Sequence, residues 1–258
     1  MATTEFEIPG ETALVTGASS GIGKRIALQF TAKGIDTVIC SREQDNVDLV
    51  ADENAESDRP GEILPIECDV RDTDAVETMV DETVETFGGL DILVNNAGAV
   101  FHAEFDDLSE NAWKTIVDIN LNGVYNCTHA ASDALKDGRG WVVNVSSTRS
   151  QEAAPGETHY GAAKAGVNNL TGSLAREWAP DGVRVNCVVP GFIATPQAVT
   201  AGSVDPETID REDVDRQVGT VDEIADVVEF LVSDASSFLI GELVTARGKP
   251  AYLPEPEP

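Results

Sequence analysis

Thr12-Ala13-Leu14-Val15-Thr16-Gly17-Ala18-Ser19-Ser20-Gly21-Ile22-Gly23 runs from a β-type apolar stretch into a glycine-rich turn. Ile26, Ala27 and Phe30 then recur at helical spacing until Gly34. Strand, glycine turn and helix in that order make the phosphate-binding start of a dinucleotide fold. Glycines let the backbone approach a pyrophosphate closely. The helix behind them supplies unpaired N–H donors and the positive end of its dipole. The spacing is G-x-x-x-G-x-G rather than the commoner G-x-G-x-x-G, so the reading leans on the flanking strand and helix.

Outward from this stretch the same alternation continues. Residues 36–41 read as a second strand, 44–55 as a helix, 63–68 as a third strand and 72–87 as a helix with Val76, Val80, Val84 and Phe87 on one face. Residues 92–94 form a fourth strand, followed by helices at 109–118 and 122–136. A fifth strand spans 141–145, a helix from Tyr160 reaches Trp178, and a sixth strand spans 183–189. Residues 197–217 are acidic with a weak helical pattern, 221–232 form a helix and 242–245 a last short strand. This order predicts an α/β fold: one Rossmann-type, doubly wound parallel sheet with helices on both faces. No linker or composition shift divides the chain, so residues 1–258 read as a single domain. Its core would span about 12–246, with 250–258 as a flexible Pro-Glu tail.

In such a sheet the ligand lies beyond the C-terminal ends of the strands. The polar and glycine residues gather there one strand at a time. Gly17 follows the first strand, Ser41-Arg42 the second, Asp69 the third, Asn96-Ala97-Gly98 the fourth, Ser147 the fifth and Pro190-Gly191 the sixth. Any one of these reads as an ordinary turn residue; six in succession at one edge describe a site.

His159-Tyr160-Gly161-Ala162-Ala163-Lys164 supplies proton chemistry. Four residues apart on a helix, Tyr160 and Lys164 share a face. An ammonium beside a phenol favours the phenolate and lowers its pKa from the usual ~10. Tyr160 would then exchange a proton near neutral pH. His159, its neighbour, faces another way and reads as a substrate-pocket or surface residue.

Composition narrows the function classes. Lys and Arg total 17 against 46 Asp and Glu, a formal charge of −29. Such a surface repels nucleic acid and anionic membrane, which argues against both as partners. The carboxylates are scattered, and six lysines stand against eleven arginines. Scattered acid with little lysine suits molar salt, where screening removes self-repulsion, and this points to a halophilic source. No apolar run is long enough to span a membrane. The start Met1–Glu11 lacks a signal-peptide pattern, which predicts a cytoplasmic protein. Cys40, Cys68, Cys127 and Cys187 sit in apolar segments without C-x-x-C spacing and read as buried hydrophobes. His102, His129 and His159 are too dispersed for a metal site, so none is expected.

Together these motifs resemble the short-chain dehydrogenase/reductase family. The resemblance rests on Thr16–Gly23, Asn95-Asn96-Ala97-Gly98, Asn120, Ser147, Tyr160-x-x-x-Lys164 and Pro190-Gly191, and covers about residues 12–241. It implies an NAD(P)-dependent oxidoreductase interconverting a carbonyl and a secondary alcohol. Tyr160 would be the acid in reduction and the base in oxidation. Lys164 would lower its pKa and hold the nicotinamide ribose, Ser147 would bind the substrate oxygen, and Asn120 would hold a water in a proton relay. Ser146 and Asn122 are the rivals to Ser147 and Asn120; spacing favours Ser147, while Asn122 reads as a turn or helix-entry residue. The implied cofactor contacts are Gly17, Ser19, Ser20, Gly21, Ile22, Gly23, Ser41, Arg42, Asp69, Val70, Asn96, Ala97, Gly98, Tyr160, Lys164, Pro190, Gly191, Ile193 and Thr195. Asp69 and Val70 would flank the adenine, and Ile193 and Thr195 the carboxamide.

Where NAD-users place an acid after the second strand to bind the ribose 2′-hydroxyl, this chain has Ser41-Arg42, which suits a 2′-phosphate and predicts NADP over NAD. The expected substrate is a small carbonyl or alcohol. A 3-oxoacyl thioester on CoA or a carrier protein leads; a sugar or secondary alcohol is the alternative, and a non-catalytic NADP-binding regulator or scaffold the reading from another class. Helices 111–136 and 160–178 match those that pair in the family's common dimer. A homodimer or homotetramer is expected, although Thr245–Tyr252 departs from the usual V-D-G-G ending.

Overall fold

The computed structural model describes residues 6–200 and 204–249; the expected tail lies outside them. Parallel strands β1 (Thr12–Thr16), β2 (Asp36–Ser41) and β3 (Ile63–Glu67) alternate with helices α1 (Gly21–Ala32), α2 (Gln44–Glu56) and α3 (Thr73–Phe87). Strand β4 (Ile92–Asn95) leads into α4 (Glu110–Val117), a π-helical turn at Asp118–Asn122, α5 (Gly123–Ala130) and α6 (Ser132–Gly138). Then come β5 (Trp141–Val145), α7 (Thr158–Trp178), β6 (Arg184–Pro190), β7 (Phe192–Ile193) and α8 (Pro196–Thr200). The described chain ends with β8 (Val218–Gly219), α9 (Val221–Val232) and β9 (Leu243–Ala246).

Seven strands form one sheet in the order β3-β2-β1-β4-β5-β6-β9, all pairs parallel, and β7 and β8 form a separate two-stranded pair. This is the single-domain α/β arrangement that the sequence predicts. The order reverses between β1 and β4, which opens a crevice at their C-terminal ends.

Strand side chains alternate between two cores. Ala13, Val15, Ile39, Ile92, Val94, Val143 and Val145 join α1, α2 and α9 on one face. Leu14, Val38, Cys40, Leu93 and Val142 join α3, α5, α6 and the end of α7 on the other. A strand buried on both faces is apolar except where a polar side chain finds a partner; β1 is buried at every residue, and its Thr16 Oγ1 accepts from Asn96 and Ala97. Phe30 is 1% exposed, and burying a side chain of that size stabilises by roughly 1.5–3 kcal/mol.

Caps set the helix ends. Asp72 accepts from the N–H groups of Asp74 and Ala75 and starts α3, which stops at Gly88 in the left-handed conformation (φ 86°). Thr220 and Glu223 form a reciprocal capping box at α9. Arg216 pairs with Glu223 and holds its carboxyl down at about 2, which ties the acidic segment before β8 to α9.

The structure departs from the sequence expectation in local places. The helix expected over 122–136 is two helices, α5 and α6, and the π-helical turn fills the gap expected after α4. In the 197–217 segment the described residues show α8 and a single turn at Pro206–Thr208. The short β7–β8 pair had no sequence signal, because two residues carry no periodicity. It pins Ile193 beside Gly219. No helix among the described residues is long and apolar enough to cross a membrane.

Candidate functional site

The glycine turn is fixed by close approach. Gly17 has φ +64°, and a β-carbon there would stand 2.7 Å from the Ala97 Cα. Only glycine fits, so the ends of β1 and β4 meet backbone to backbone. A β-carbon on Gly23 would come 2.4 Å from Asn96 Nδ2 and 2.7 Å from the Gly17 carbonyl oxygen. Asn96 Nδ2 donates to the carbonyls of Thr16 (2.9 Å) and Gly17 (3.0 Å). Both amide hydrogens are spent, so Asn96 braces the turn rather than offering a free donor to a ligand. Thr16 Oγ1 accepts from the N–H groups of Asn96 and Ala97, each at 3.0 Å.

Ser20 stands at the N-cap of α1 without a side-chain cap. The N–H groups of Gly21, Ile22 and Gly23 therefore open toward the crevice. Across it, Thr195 Cγ2 would lie 3.6 Å from a β-carbon on Gly21. Ser19, Ser20 and Thr195 thus line a gap with uncapped donors on one wall, which fits a pyrophosphate.

The next two strand ends carry charge. Ser41 Oγ donates to the Glu43 carbonyl at 2.9 Å. Arg42 is exposed and has no hydrogen-bond or ion-pair partner among the described residues. Asp69 accepts from Arg71 through both carboxylate oxygens (2.9 and 2.5 Å), and this bond chiefly holds its carboxyl below the usual range. Val70 is buried and closes on Gly123. The Arg42 charge also helps to hold the Asp69 carboxyl down.

Asn120 and Lys164 converge at Gly98. A β-carbon on Gly98 would lie 2.9 Å from Asn120 Oδ1 and 3.5 Å from Lys164 Nζ. Asn120 is fully buried in the π-helical turn; its Nδ2 donates to the carbonyls of Ala99 (2.8 Å) and Ile116 (3.0 Å). The extra residue of a π turn re-aims its side chain, a device common at functional sites. Asn122 instead donates to Asp118 at 2.7 Å, a local turn contact. Ser146 is buried and bonds the Lys164 carbonyl at 3.2 Å, whereas Ser147 is partly exposed and accepts from the Arg149 N–H at 3.2 Å.

Tyr160 and Lys164 share a face of α7, with Lys164 Nζ 5.8 Å from the Tyr160 ring centre. In the free protein the phenol does not show the lowering expected from Lys164. Lys164 is 3% exposed, its Nζ donates to the Val145 carbonyl at 2.8 Å, and burial pushes its pKa down to about 8. Burial likewise pushes the Tyr160 phenol up, with hydrogen bonding to Ser147 pulling the other way. In the free protein Tyr160 is therefore a neutral acid. Of the two readings of His159 the surface one is overturned: it is fully buried, 4.5 Å from Phe101 between ring centres, with both ring nitrogens unpartnered among the described residues. Burial lowers its pKa.

A polar chain that sequence reasoning missed holds α7 in place. Asn95 Nδ2 donates to Thr128 and Asn144, and Asn144 Nδ2 donates to Thr171, all at 2.9 Å. It links β4, β5, α5 and α7 inside the core. Asn95 and Asn144, polar in otherwise apolar strands, were its only signal. Asn144→Val strands Asn95 and Thr171 and is expected to destabilise by about 2–4 kcal/mol. Urea melts of both proteins check this; an unchanged midpoint would show the chain to be dispensable.

Beyond Asn95, Pro190 is buried and Gly191 packs against Arg247, so β6 delivers Ile193 and Thr195 to the crevice. Gly17, Ser41-Arg42, Asp69, Asn96-Ala97-Gly98, Ser147 and Pro190-Gly191 thus stand at or just past the C-terminal ends of their strands.

The sequence profile described as enoyl-(acyl carrier protein) reductase matches residues 17–248. A 3-oxoacyl-(acyl-carrier-protein) reductase of Thermotoga maritima is 37% identical over 245 residues, covering 94% of this chain and 98% of its own. A peroxisomal 2,4-dienoyl-CoA reductase of Danio rerio is 38% identical, covering 92% of this chain and 80% of its own. A short-chain type dehydrogenase/reductase of Mycobacterium marinum superposes with a TM-score of 0.85 at 33% identity, covering 94% of this chain and 96% of its own. With this sheet and these relatives over nearly its whole length, the chain belongs to the short-chain dehydrogenase/reductase family, nicotinamide-dependent oxidoreductases of CH–OH and C=O groups.

Proposed function

We propose that this protein reduces 3-oxoacyl thioesters with NADPH. The observation that carries the reading is the convergence of Asn120 and Lys164 on Gly98, with Tyr160 one helical turn from Lys164 and its phenol held above the usual range. Tyr160 donates the proton to the carbonyl oxygen as it becomes an alkoxide, and Ser147 holds that oxygen in place. Lys164 fixes the nicotinamide ribose, and Asn120 orients a water that returns a proton through Lys164. The nicotinamide supplies the hydride when bound. The glycine turn, Ser19, Ser20 and Thr195 hold the pyrophosphate, Asp69 and Val70 the adenine, and Ile193 the carboxamide side. The unpaired Arg42 selects the 2′-phosphate. The thioester class is supported by the two relatives named for acyl substrates.

Oxidation of a sugar or secondary alcohol is the second reading. The exposed carboxylates of Asp210, Glu212, Asp213 and Asp215, in the segment read from the sequence as the substrate lid, would disfavour an anionic substrate and suit a neutral one. We also infer a homodimer or homotetramer through the helices at 111–136 and 160–178, the first of which carries Trp113 and Tyr125, 37% and 54% exposed, and a cytoplasmic, salt-adapted protein.

Absorbance-followed oxidation of NADPH and NADH against acetoacetyl-CoA, in molar KCl and in dilute buffer, tests all of this. Fast NADPH loss in KCl alone is the expected result. Preference for NADH removes the Arg42 argument, equal rates in both buffers remove the halophilic one, and turnover of alcohols but not the thioester moves the reading to oxidation.

A further inference from the structure

The ending that sets this chain apart, from Thr245 onward, does not leave the sheet freely. Pro190 pairs with Ala246 of β9, and the Gly191 N–H donates to the Ala246 carbonyl at 2.8 Å. Arg247 then lies against Gly191, where a β-carbon would stand 2.8 Å from the Arg247 Cβ. Its guanidinium reaches the Glu152 carboxylate, and Thr245 Oγ1 donates to Gln151 Oε1 at 3.4 Å. The N–H groups of Gln151 and Glu152 both donate to the Thr148 carbonyl, at 3.0 and 2.9 Å, one residue past Ser147.

The next two residues hold a second segment, the acidic stretch before β8. Gly248 has φ +67°, and a β-carbon there would lie 2.5 Å from the Arg216 carbonyl oxygen. The Lys249 N–H donates to that same oxygen at 3.1 Å, and Lys249 Nζ pairs with Asp215 at 2.5 Å. The Arg216 side chain donates in turn to the Val218 carbonyl at 3.1 Å and to Glu223 of α9 at 2.8 Å. Val218 and Gly219 pair with Phe192 and Ile193, and the Ala194 N–H donates to the Gly219 carbonyl at 2.9 Å. Residues 245–249 therefore join the loop behind Ser147 to the stretch that ends beside Ile193.

We propose that Gly248 is a positioning residue: by seating the C-terminal segment on the Arg216 carbonyl it latches residues 210–219 as a fixed wall of the substrate crevice. The wall's part in binding rests on the proposed reduction; the latch itself does not.

Two kinds of contact meet at the latch, and they differ in strength. The Lys249–Asp215 pair is exposed, with 71% of the Asp215 side chain in solvent, and such a pair contributes little, least of all in molar salt. The backbone contact is not screened. No side chain fits at Gly248, because its φ is left-handed and the Arg216 oxygen stands where a β-carbon would go. Substitution there must push the C-terminal segment and the acidic stretch apart, whereas the Lys249 ammonium is expendable. A wall that meets the substrate equally in its ground and transition states lowers KM and leaves kcat alone.

The test compares the full chain with Gly248→Ala and Lys249→Met in molar KCl. Limited trypsin digestion, followed by mass spectrometry, reads the Arg216–Gln217 bond, whose carbonyl is the latched one. Cutting after Arg139, exposed in the turn before β5 at the opposite edge of the sheet, is the internal control. Where opening is fast relative to cutting, cleavage tracks the open population. Gly248→Ala is expected to speed cutting after Arg216 roughly tenfold or more, with the control unchanged and Lys249→Met close to the parent. In steady state Gly248→Ala should raise the KM for acetoacetyl-CoA about tenfold and hold kcat within about twofold, a split that a general loss of stability does not produce. Equal cutting after Arg216 in the parent and Gly248→Ala overturns the latch. Lys249→Met that frees the bond as fully as Gly248→Ala overturns the role of Gly248. Faster cutting with an unchanged KM overturns the wall. A parent that reduces no thioester overturns the proposed reduction, and the digestion still decides the latch.

Discussion

Tyr160→Phe is expected to keep its NADPH affinity and lose about 10³-fold in turnover. The change deletes one oxygen and leaves the ring beside Lys164, whose Nζ already donates to the Val145 carbonyl rather than to the phenol. Neither packing nor the ribose contact proposed for Lys164 depends on the hydroxyl. What disappears is the proton donor, and a positioned general acid contributes about 10²–10⁴-fold. The sign of the pKa shift sharpens the expectation. Burial raises the Tyr160 phenol, so the protonated form that reduction needs persists through neutral and mildly alkaline pH. Alcohol oxidation needs the phenolate and should climb with pH toward the phenol's raised value, a climb absent from the Phe variant. Steady-state rates in both directions, with cofactor binding read by fluorescence quenching, separate these effects. A variant that still turns over would exclude Tyr160 as the acid.

The order of elements and the edge that carries the site were legible because they rest on long signals. Strands such as Thr12–Thr16 and Trp141–Val145 are apolar on both faces, which a parallel sheet covered by helices requires. Each then ends in glycine or a polar residue at the same edge. The π turn was not legible, since one extra residue at Asp118–Asn122 hardly disturbs a helical pattern. The upward push on the Tyr160 phenol was not legible for a related reason. Helical spacing puts Tyr160 and Lys164 on one face but says nothing of solvent, nor of which acceptor the ammonium finds. That acceptor, the Val145 carbonyl, belongs to a strand nineteen residues earlier, a tertiary contact. The burial of His159 was hidden likewise: its partner Phe101 lies on a loop distant in sequence. Asn95 and Asn144 were visible as residues, but their bond exists only because β4 and β5 are neighbours.

Lys164→Met should abolish turnover, weaken NADPH binding, and flatten the protein's alkaline gain in stability. Lys164 is 3% exposed, and burial pushes its pKa down to about 8. In the unfolded chain the same amine titrates near its ordinary ~10.4. Between those values the unfolded state holds a proton that the folded state has released, so folding stability rises with pH across that window. Below about 8 both states are charged and the whole penalty is present. A depression of this size corresponds to about 3 kcal/mol. Methionine removes the charge, keeps the length, and leaves the Val145 carbonyl without its donor, a loss of about 1–3 kcal/mol. The two terms nearly cancel near neutral pH, so the variant should fold about as well as the parent there. At about pH 9.5 the parent recovers much of its penalty and the variant gains nothing from this residue. Urea melts of both proteins at the two pH values, in molar KCl, measure the difference in slope. Parallel slopes would mean that a group other than Lys164 titrates in this window. A buried ammonium whose one hydrogen-bond partner among the described residues is a neutral carbonyl lowers stability, and that cost is intelligible if its charge is used on the ribose and on Tyr160 when the cofactor is bound.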